Sequence, residues 1–323
     1  MSRNLPFLPI SLYRFSYLAG EDLHLPVGPR ELWHGVFGLR LRELACVVPG
    51  IECRACLLLH QCAYSRLFSG PRPPDAELMR RYDTIPVPHA FQIDGAYPET
   101  LRAGATLAVS MALVGDANDQ IPLVIQAMAA AGQGGLGKER GRAWLQDVTQ
   151  TLPDGTSPQP IATKGRLLTS LPPQAPSTPP PPVAIRLVFL SPYQPSGQPA
   201  GGDGLGHLLM AIVRRVSLLQ YFYTGVRLEA PFPELKAASE GAWVLGQTLR
   251  HQDSSRYAAR HGKRLDTGGL VGHIDLDLTG IELLWPYLYL GQWLNVGKKA
   301  SMGYGRYGLT LPSGGTQTYK KAP

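Results

Sequence analysis

The chain has 323 residues, 44% hydrophobic and 17% charged, with a formal net charge of +7, a globular composition long enough for two cores. No run of about 18 apolar residues occurs, which argues against a membrane span. Met1 to Ile10 lacks the sustained apolar core of a secretory leader, so a cytoplasmic protein is expected.

The 36 glycines and 30 prolines exceed ordinary usage and imply many turns and short elements, as in a strand-rich α+β protein. Ile10 to Tyr17 alternates apolar and polar residues, the period of a strand. A helix is predicted from about Pro29 to Ala45, where Leu32, Val36, Leu39 and Leu44 recur at helical spacing; it carries His34. All four cysteines follow within 17 residues, as C-x6-C-x2-C-x5-C: Cys46, Cys53, Cys56 and Cys62. The central C-x2-C is zinc-knuckle spacing, so a structural four-cysteine zinc site is expected. Two disulfides, or four free thiols, are the alternatives. His60 lies between two of these cysteines, four residues before Tyr64.

Gly132 to Arg142 forms a glycine-rich basic turn with Lys138, Arg140 and Arg142, followed by a strand from Ala143 to Val148. Its glycine pattern resembles a dinucleotide fingerprint, but it follows a helix-like run where that fingerprint needs a strand. Leu168 to Pro182 is proline-dense and reads as a polyproline II spacer; a ligand for a proline-binding domain is the other reading. Ala184 to Leu190 alternates again. A second amphipathic helix runs from about Gly206 to Tyr223, with Arg214 and Arg215 off most of its apolar stripe. Asp275 and Asp277 alternate in a strand-like run and are expected to face solvent. An apolar run from Ile281 to Leu294 leads into Gly291 to Tyr307. There Gly297, Gly303 and Gly305 alternate with Lys298, Lys299 and Arg306 and with Tyr304 and Tyr307. Glycine admits close backbone approach, the cations favour phosphate, and interleaved aromatics suit a base or ribose beside it. This segment reads as a clamp for an RNA backbone.

The same parts occur twice in the same order: strand, helix, strands, second helix, glycine loop, last strand. That is a duplication of layout, and two ferredoxin-like βαββαβ domains are the simplest fold that fits. The boundaries are residues 1–167 for the first domain, with the cysteine insertion at 46–62, 168–182 for the linker, and 183–323 for the second. Residues 1–182 carry 16 Lys and Arg against 15 Asp and Glu, whereas residues 183–323 carry 15 against 9. The basic half suits a polyanion, or a surface kept soluble by lysine. No H-E-x-x-H, Walker A or G-x-S-x-G pattern is present. RNA cleavage can run without a metal: a base takes the ribose 2′-OH proton, an acid protonates the 5′-oxygen, and a cation steadies the phosphorane.

Together these residues resemble the CRISPR repeat-RNA-processing endoribonucleases of the RAMP superfamily, and most closely a subgroup with a cysteine cluster. The likeness rests on Leu32 to Leu41, Cys46 to Phe68, Gly135 to Arg142, Leu208 to Gly225, Ser255 to Tyr257, Gly268 to Gly272 and, most specifically, Gly291 to Tyr307. The resemblance implies a tandem ferredoxin-like fold that binds CRISPR repeat RNA. It implies metal-independent cleavage to 2′,3′-cyclic phosphate and 5′-hydroxyl ends. It also implies that the product guide RNA stays bound within an effector complex with other subunits. Many relatives carry histidine where this chain has Asn295 and Tyr223, and Ala258 to His261 departs from the usual pattern. His34, His60 and His261 are therefore the proton-transfer candidates, with Tyr64 as a helper. Lys138, Arg140, Arg142, Arg214, Arg215, Lys298, Lys299 and Arg306 are the backbone-binding candidates. A non-catalytic guide-RNA-binding subunit capping one end of a complex is the alternative.

Overall fold

The computed structural model describes residues 5–26, 28–93, 98–196, 204–226, 230–252, 255–258 and 263–312. It is a mixed α+β fold built on two antiparallel sheets.

In the first half, β1 (Ile10–Ala19) and β2 (Leu23–His24) precede α1 (Arg30–Ala45). There follow β3 (His89–Gln92), β4 (Thr100–Leu101), β5 (Thr106–Val114), α2 (Ile121–Gln133), β6 (Ala143–Thr151), β7 (Gln159–Thr163) and β8 (Arg166–Leu167). The main sheet runs β3-β5-β1-β6-β7-β8. Alternation along β1 puts Tyr13, Phe15 and Tyr17 on one face, where they are buried with Trp33, Phe37 and Leu41 of α1 and Val124 and Met128 of α2. A bulge between Ser16 and Tyr17 shifts the β1–β6 register.

The second half opens with β9 (Ala184–Tyr193) and α3 (Gly204–Tyr223), then α4 (Phe232–Glu240), β10 (Trp243–Gln252), β11 (Ser255–Ala258) and β12 (Lys263–Asp266). It closes with β13 (Gly269–Asp277), α5 (Trp285–Gly291) and β14 (Tyr307–Thr310). Its sheet runs β10-β13-β9-β14. Ile185 and Leu187 of β9 pack on Leu209, Ile212, Val213 and Val216 of α3 and Leu288 of α5. The core strands and helices of the two halves occupy matching places: β3-β5-β1-β6 in one sheet, β10-β13-β9-β14 in the other.

The halves share a core. Leu8, Ile10, Ala112 and Val114 of the first are buried in the same cluster as α3. A Cβ on Gly115 would meet the Tyr223 carbonyl oxygen at 1.9 Å, so only glycine permits that contact. The proline-rich segment is strapped to this body. Ile10 and Gln174 exchange backbone hydrogen bonds of 2.9 and 3.2 Å, and the Trp285 Nε1–H donates to the Pro179 carbonyl at 2.7 Å. The segment read as a polyproline II spacer is thus held against this body by backbone pairing and an indole donor. Asp275 corrects its expectation. It faces Arg186 in a two-pronged pair at 2.7 and 2.8 Å, and that guanidinium pulls its carboxyl below the usual range.

Candidate nucleic-acid interface and histidine site

α1 assembles the site because its N-terminal turns face the second half. The Arg30 Nε–H donates to the Gly303 carbonyl at 3.3 Å, and its guanidinium lies 5.5 Å from the Tyr304 ring centre. The Tyr304 hydroxyl donates to the Glu31 carboxylate. Lys299 reaches the same ring, at 5.1 Å. The glycine loop is thereby docked on the first turn of α1.

The loop folds this way because its backbone needs positive φ. Gly297 and Gly305 sit at φ 86° and 64°. A Cβ on Gly305 would lie 1.8 Å from the Val296 carbonyl oxygen, and one on Gly297 2.2 Å from that of Gln194. Lys299 and Asn295 also adopt φ 58°. Asn tolerates that region better than most residues. Asn295 is buried, donating from Nδ2 to the Phe91 carbonyl at 3.0 Å and the Ala300 carbonyl at 2.8 Å and accepting from Gln92 at 3.2 Å. It staples the loop to β3. Lys298 is exposed; Arg306 is half-buried, and burial lowers its pKa.

One turn along α1 from Arg30 is His34. Its ring packs on Phe68 at 4.5 Å, His89 at 5.6 Å and Phe91 at 6.4 Å between centroids. Phe68 can lie there because residue 38 is glycine: a Cβ would meet the Phe68 ring at 2.2 Å. His34 keeps some solvent contact, yet this crowding desolvates the imidazolium and lowers its pKa to about 4. Tyr64 stacks on Phe68 at 5.5 Å, and burial raises its pKa, so it stays protonated at neutral pH. His60 is exposed on the cysteine-bearing loop, outside the ring cluster around His34. His261 lies outside the described residues.

Arg214 is exposed, whereas Arg215 is partly enclosed. The Arg215 Nε–H donates to the Leu294 carbonyl at 2.7 Å, and enclosure lowers its pKa to about 10. In the first glycine turn Lys138, Arg140 and Arg142 are exposed, Arg142 facing Glu21 at 3.7 Å. Arg140 has φ 55°, as Lys299 has in the second loop. Between the sheets runs a groove of about 360 Å³ lined by Arg14, Gln92, Ser110, Trp293 and Arg306 among others. It continues toward Leu25 and Leu101 past the same Arg14, Gln92 and Ser110.

The four cysteines are not joined by disulfides in this structure. All four line one apolar cavity of about 270 Å³ beside Tyr64. Among the described residues, no three His, Cys, Asp or Glu side chains are grouped closely enough to hold a metal ion as they stand.

Two family models cover nearly the whole chain. One, described as an N-terminal domain (AF_1859_N), matches residues 8–175. The other, CRISPR-associated endoribonuclease Cas6, matches residues 189–307. The chain belongs to the Cas6 family. A Cas6 product complex superposes with a TM-score of 0.56 at 17% identity, over 93% of this chain and 100% of the other. A partial Cas6-RT-Cas1–Cas2 complex gives 0.55 at 15% identity, over 99% of this chain and 49% of that one. Thermus thermophilus Cas6 gives 0.51 at 14% identity, over 94% and 99%. At such identities the likeness is one of fold. No curated protein matches the sequence. Among the described residues no helix is long and apolar enough to cross a membrane.

Sequence reasoning missed several residues of this Cas6-family site. His89 gave no motif; its signal was only a histidine beside the apolar pair Ala90 and Phe91. Arg66 was also missed. It pairs with Asp116 and lies 5.1 Å from the Tyr223 ring centre, tying the cysteine-side segment to α3. Arg30 and Glu31 read as ordinary first-turn residues until the loop that docks on them is seen.

Proposed function

We propose that this chain is a metal-independent endoribonuclease that cleaves CRISPR repeat RNA into guide RNA with 2′,3′-cyclic phosphate and 5′-hydroxyl ends. The observation that carries this reading is that α1 holds His34 one turn from Arg30, the residue bonded to the glycine loop. A neutral base and a cationic loop thus share one end of one helix.

His34, with a pKa near 4, is a free base at neutral pH. It takes the ribose 2′-OH proton; that oxygen attacks the adjacent phosphorus, and the 5′-oxygen leaves with a proton from an acid. Tyr64 and His60 are the acid candidates, with His261 a further one. A pKa near 4 makes a weak base, but a docked phosphate favours the imidazolium and raises it toward the working pH. Lys298, Lys299 and Arg306 would bind the backbone, joined by Lys138, Arg140 and Arg142 from the first loop and Arg214 on α3. Such contacts position RNA without reading sequence. The matching strand orders support two ferredoxin-like domains, and the cysteines support the cysteine-cluster subgroup with one structural zinc. Zinc there would draw four thiolates together and leave no open position for water. The product stays bound with other subunits of an effector complex in the cytoplasm.

A second reading is a guide-RNA-binding subunit without catalysis. It is favoured by Asn295 and Tyr223, which are buried residues where many relatives carry histidine. Labelled repeat RNA incubated with the protein in EDTA decides between them. Cleavage is expected, with His34→Ala slower by at least about 10²-fold and RNA binding kept. Tight binding with intact RNA supports the second reading, and wild-type rates in His34→Ala remove the base.

A further inference from the structure

Among the described residues His89 is the one strongly buried histidine, at 1% exposure, and the chemistry above makes no use of it. It sits at the start of β3 with its ring against Phe37, Phe68 and Phe91 at 5.5 to 6.0 Å. Its Nδ1 lies 2.8 Å from the Leu67 carbonyl oxygen. A carbonyl only accepts, so Nδ1 carries the proton. Nε2 is then a bare acceptor, and it has no hydrogen-bond partner among the described residues. A buried acceptor left without a donor is destabilising by roughly 1–3 kcal/mol, and such groups in native folds call for an explanation. The only other imidazole in the ring cluster is that of His34, at 5.6 Å between centroids and 31° between planes.

We propose that His89 is a positioning residue for His34, its Nε2 accepting, directly or through one water, from the second ring N–H that His34 gains on becoming an imidazolium. This rests on His34 being the base. The proton taken from the 2′-hydroxyl stays on His34, and none passes to His89. His89 suits the task because it remains neutral: burial, with the positive charges of His34 on α1 and Arg215 on α3 opposing its own, lowers its pKa to about 3. Those are the charged groups that act on it from the packed elements.

Two variants separate this role from packing. His89→Asn keeps a donor for the Leu67 carbonyl but loses the distal acceptor; His89→Phe keeps the ring and loses both polar atoms. Single-turnover cleavage at saturating RNA, read against pH, is expected to fall about 10- to 100-fold in both. The apparent pKa of the rising limb should drop, with RNA affinity and melting temperature near wild type for His89→Asn. A wild-type rate and profile in His89→Asn, alongside an inactive His34→Ala, overturns this inference alone. An active His34→Ala overturns the base assignment, and this inference with it. Should the variants not fold, imidazole nitrogen NMR of the wild-type protein decides. A His89 ring protonated at Nδ1 from about pH 5 to 8 is expected, with its Nε2 signal moving as His34 titrates on RNA addition. An Nε2-protonated ring, or an Nε2 signal indifferent to His34, overturns the proposal.

Discussion

Asn295 occupies the position just before Val296, Gly297 and Lys298, where the family resemblance led us to look for a proton-transfer group. The structure gives it mechanical work instead. Its three side-chain hydrogen bonds join the Phe91 and Ala300 carbonyls and Gln92, and its backbone sits at φ 58°. Asn295→Ala removes all three bonds, leaves the Phe91 carbonyl without its side-chain donor in the interior, and puts an ordinary L-residue in left-handed backbone. Together these should lower stability by about 2–4 kcal/mol, measured by urea unfolding. A loss under about 0.5 kcal/mol would show that the loop is held by something else. Such roles were illegible in the sequence because two of the three partners of Asn295, Phe91 and Gln92, are about 200 positions away. His89 was hidden for the same reason: its tautomer is set by the carbonyl of Leu67.

Elements were easier to read than residues. α1 was expected from about Pro29 to Ala45 and runs Arg30–Ala45, but the face it buries is Trp33, Phe37 and Leu41, whereas Leu39 and Leu44 of the expected stripe are exposed. The functional face of α1 was not legible: Gly35 and Gly38 look like weak points for a helix, yet Gly38 is what admits Phe68 against His34. The cysteine loop that follows is the converse case. Its spacing was plain, and the structure gathers all four thiols around one cavity, but a bound ion needs sulfurs about 2.3 Å from a common centre. Metal analysis of protein purified under reducing conditions is expected to give about one zinc per chain, with Cys53→Ser lowering both zinc content and melting temperature. Metal-free protein whose melting temperature ignores added zinc would leave four structural thiols. Because Tyr64 links this cavity to Phe68 and hence His34, a zinc ion there would also steady the end of α1 that carries His34.

At the scale of the molecule, the repeated order of strands and helices was visible in the sequence, but the way the halves dock was not. Docking depends on pairs remote in sequence: Gly115 against Tyr223, Arg66 over the Tyr223 ring, and Tyr304 on Glu31. The result is that the glycine loop of the basic half lies at the helix that bears His34. RNA held there must release counterions, so its affinity should fall with salt in proportion to the phosphates contacted, about 0.7 in log–log slope per contact for a single strand. Lys298→Ala with Lys299→Ala is expected to weaken repeat-RNA binding and to flatten that slope by about 1.4 if each lysine meets one phosphate. The Tyr304–Glu31 bond and Asn295 remain to hold the loop, so the fold should survive; the melting temperature checks this. A slope unchanged in a folded double variant would mean that the RNA crosses elsewhere, along the Arg14 and Arg306 groove, and that the glycine loop only joins the two halves.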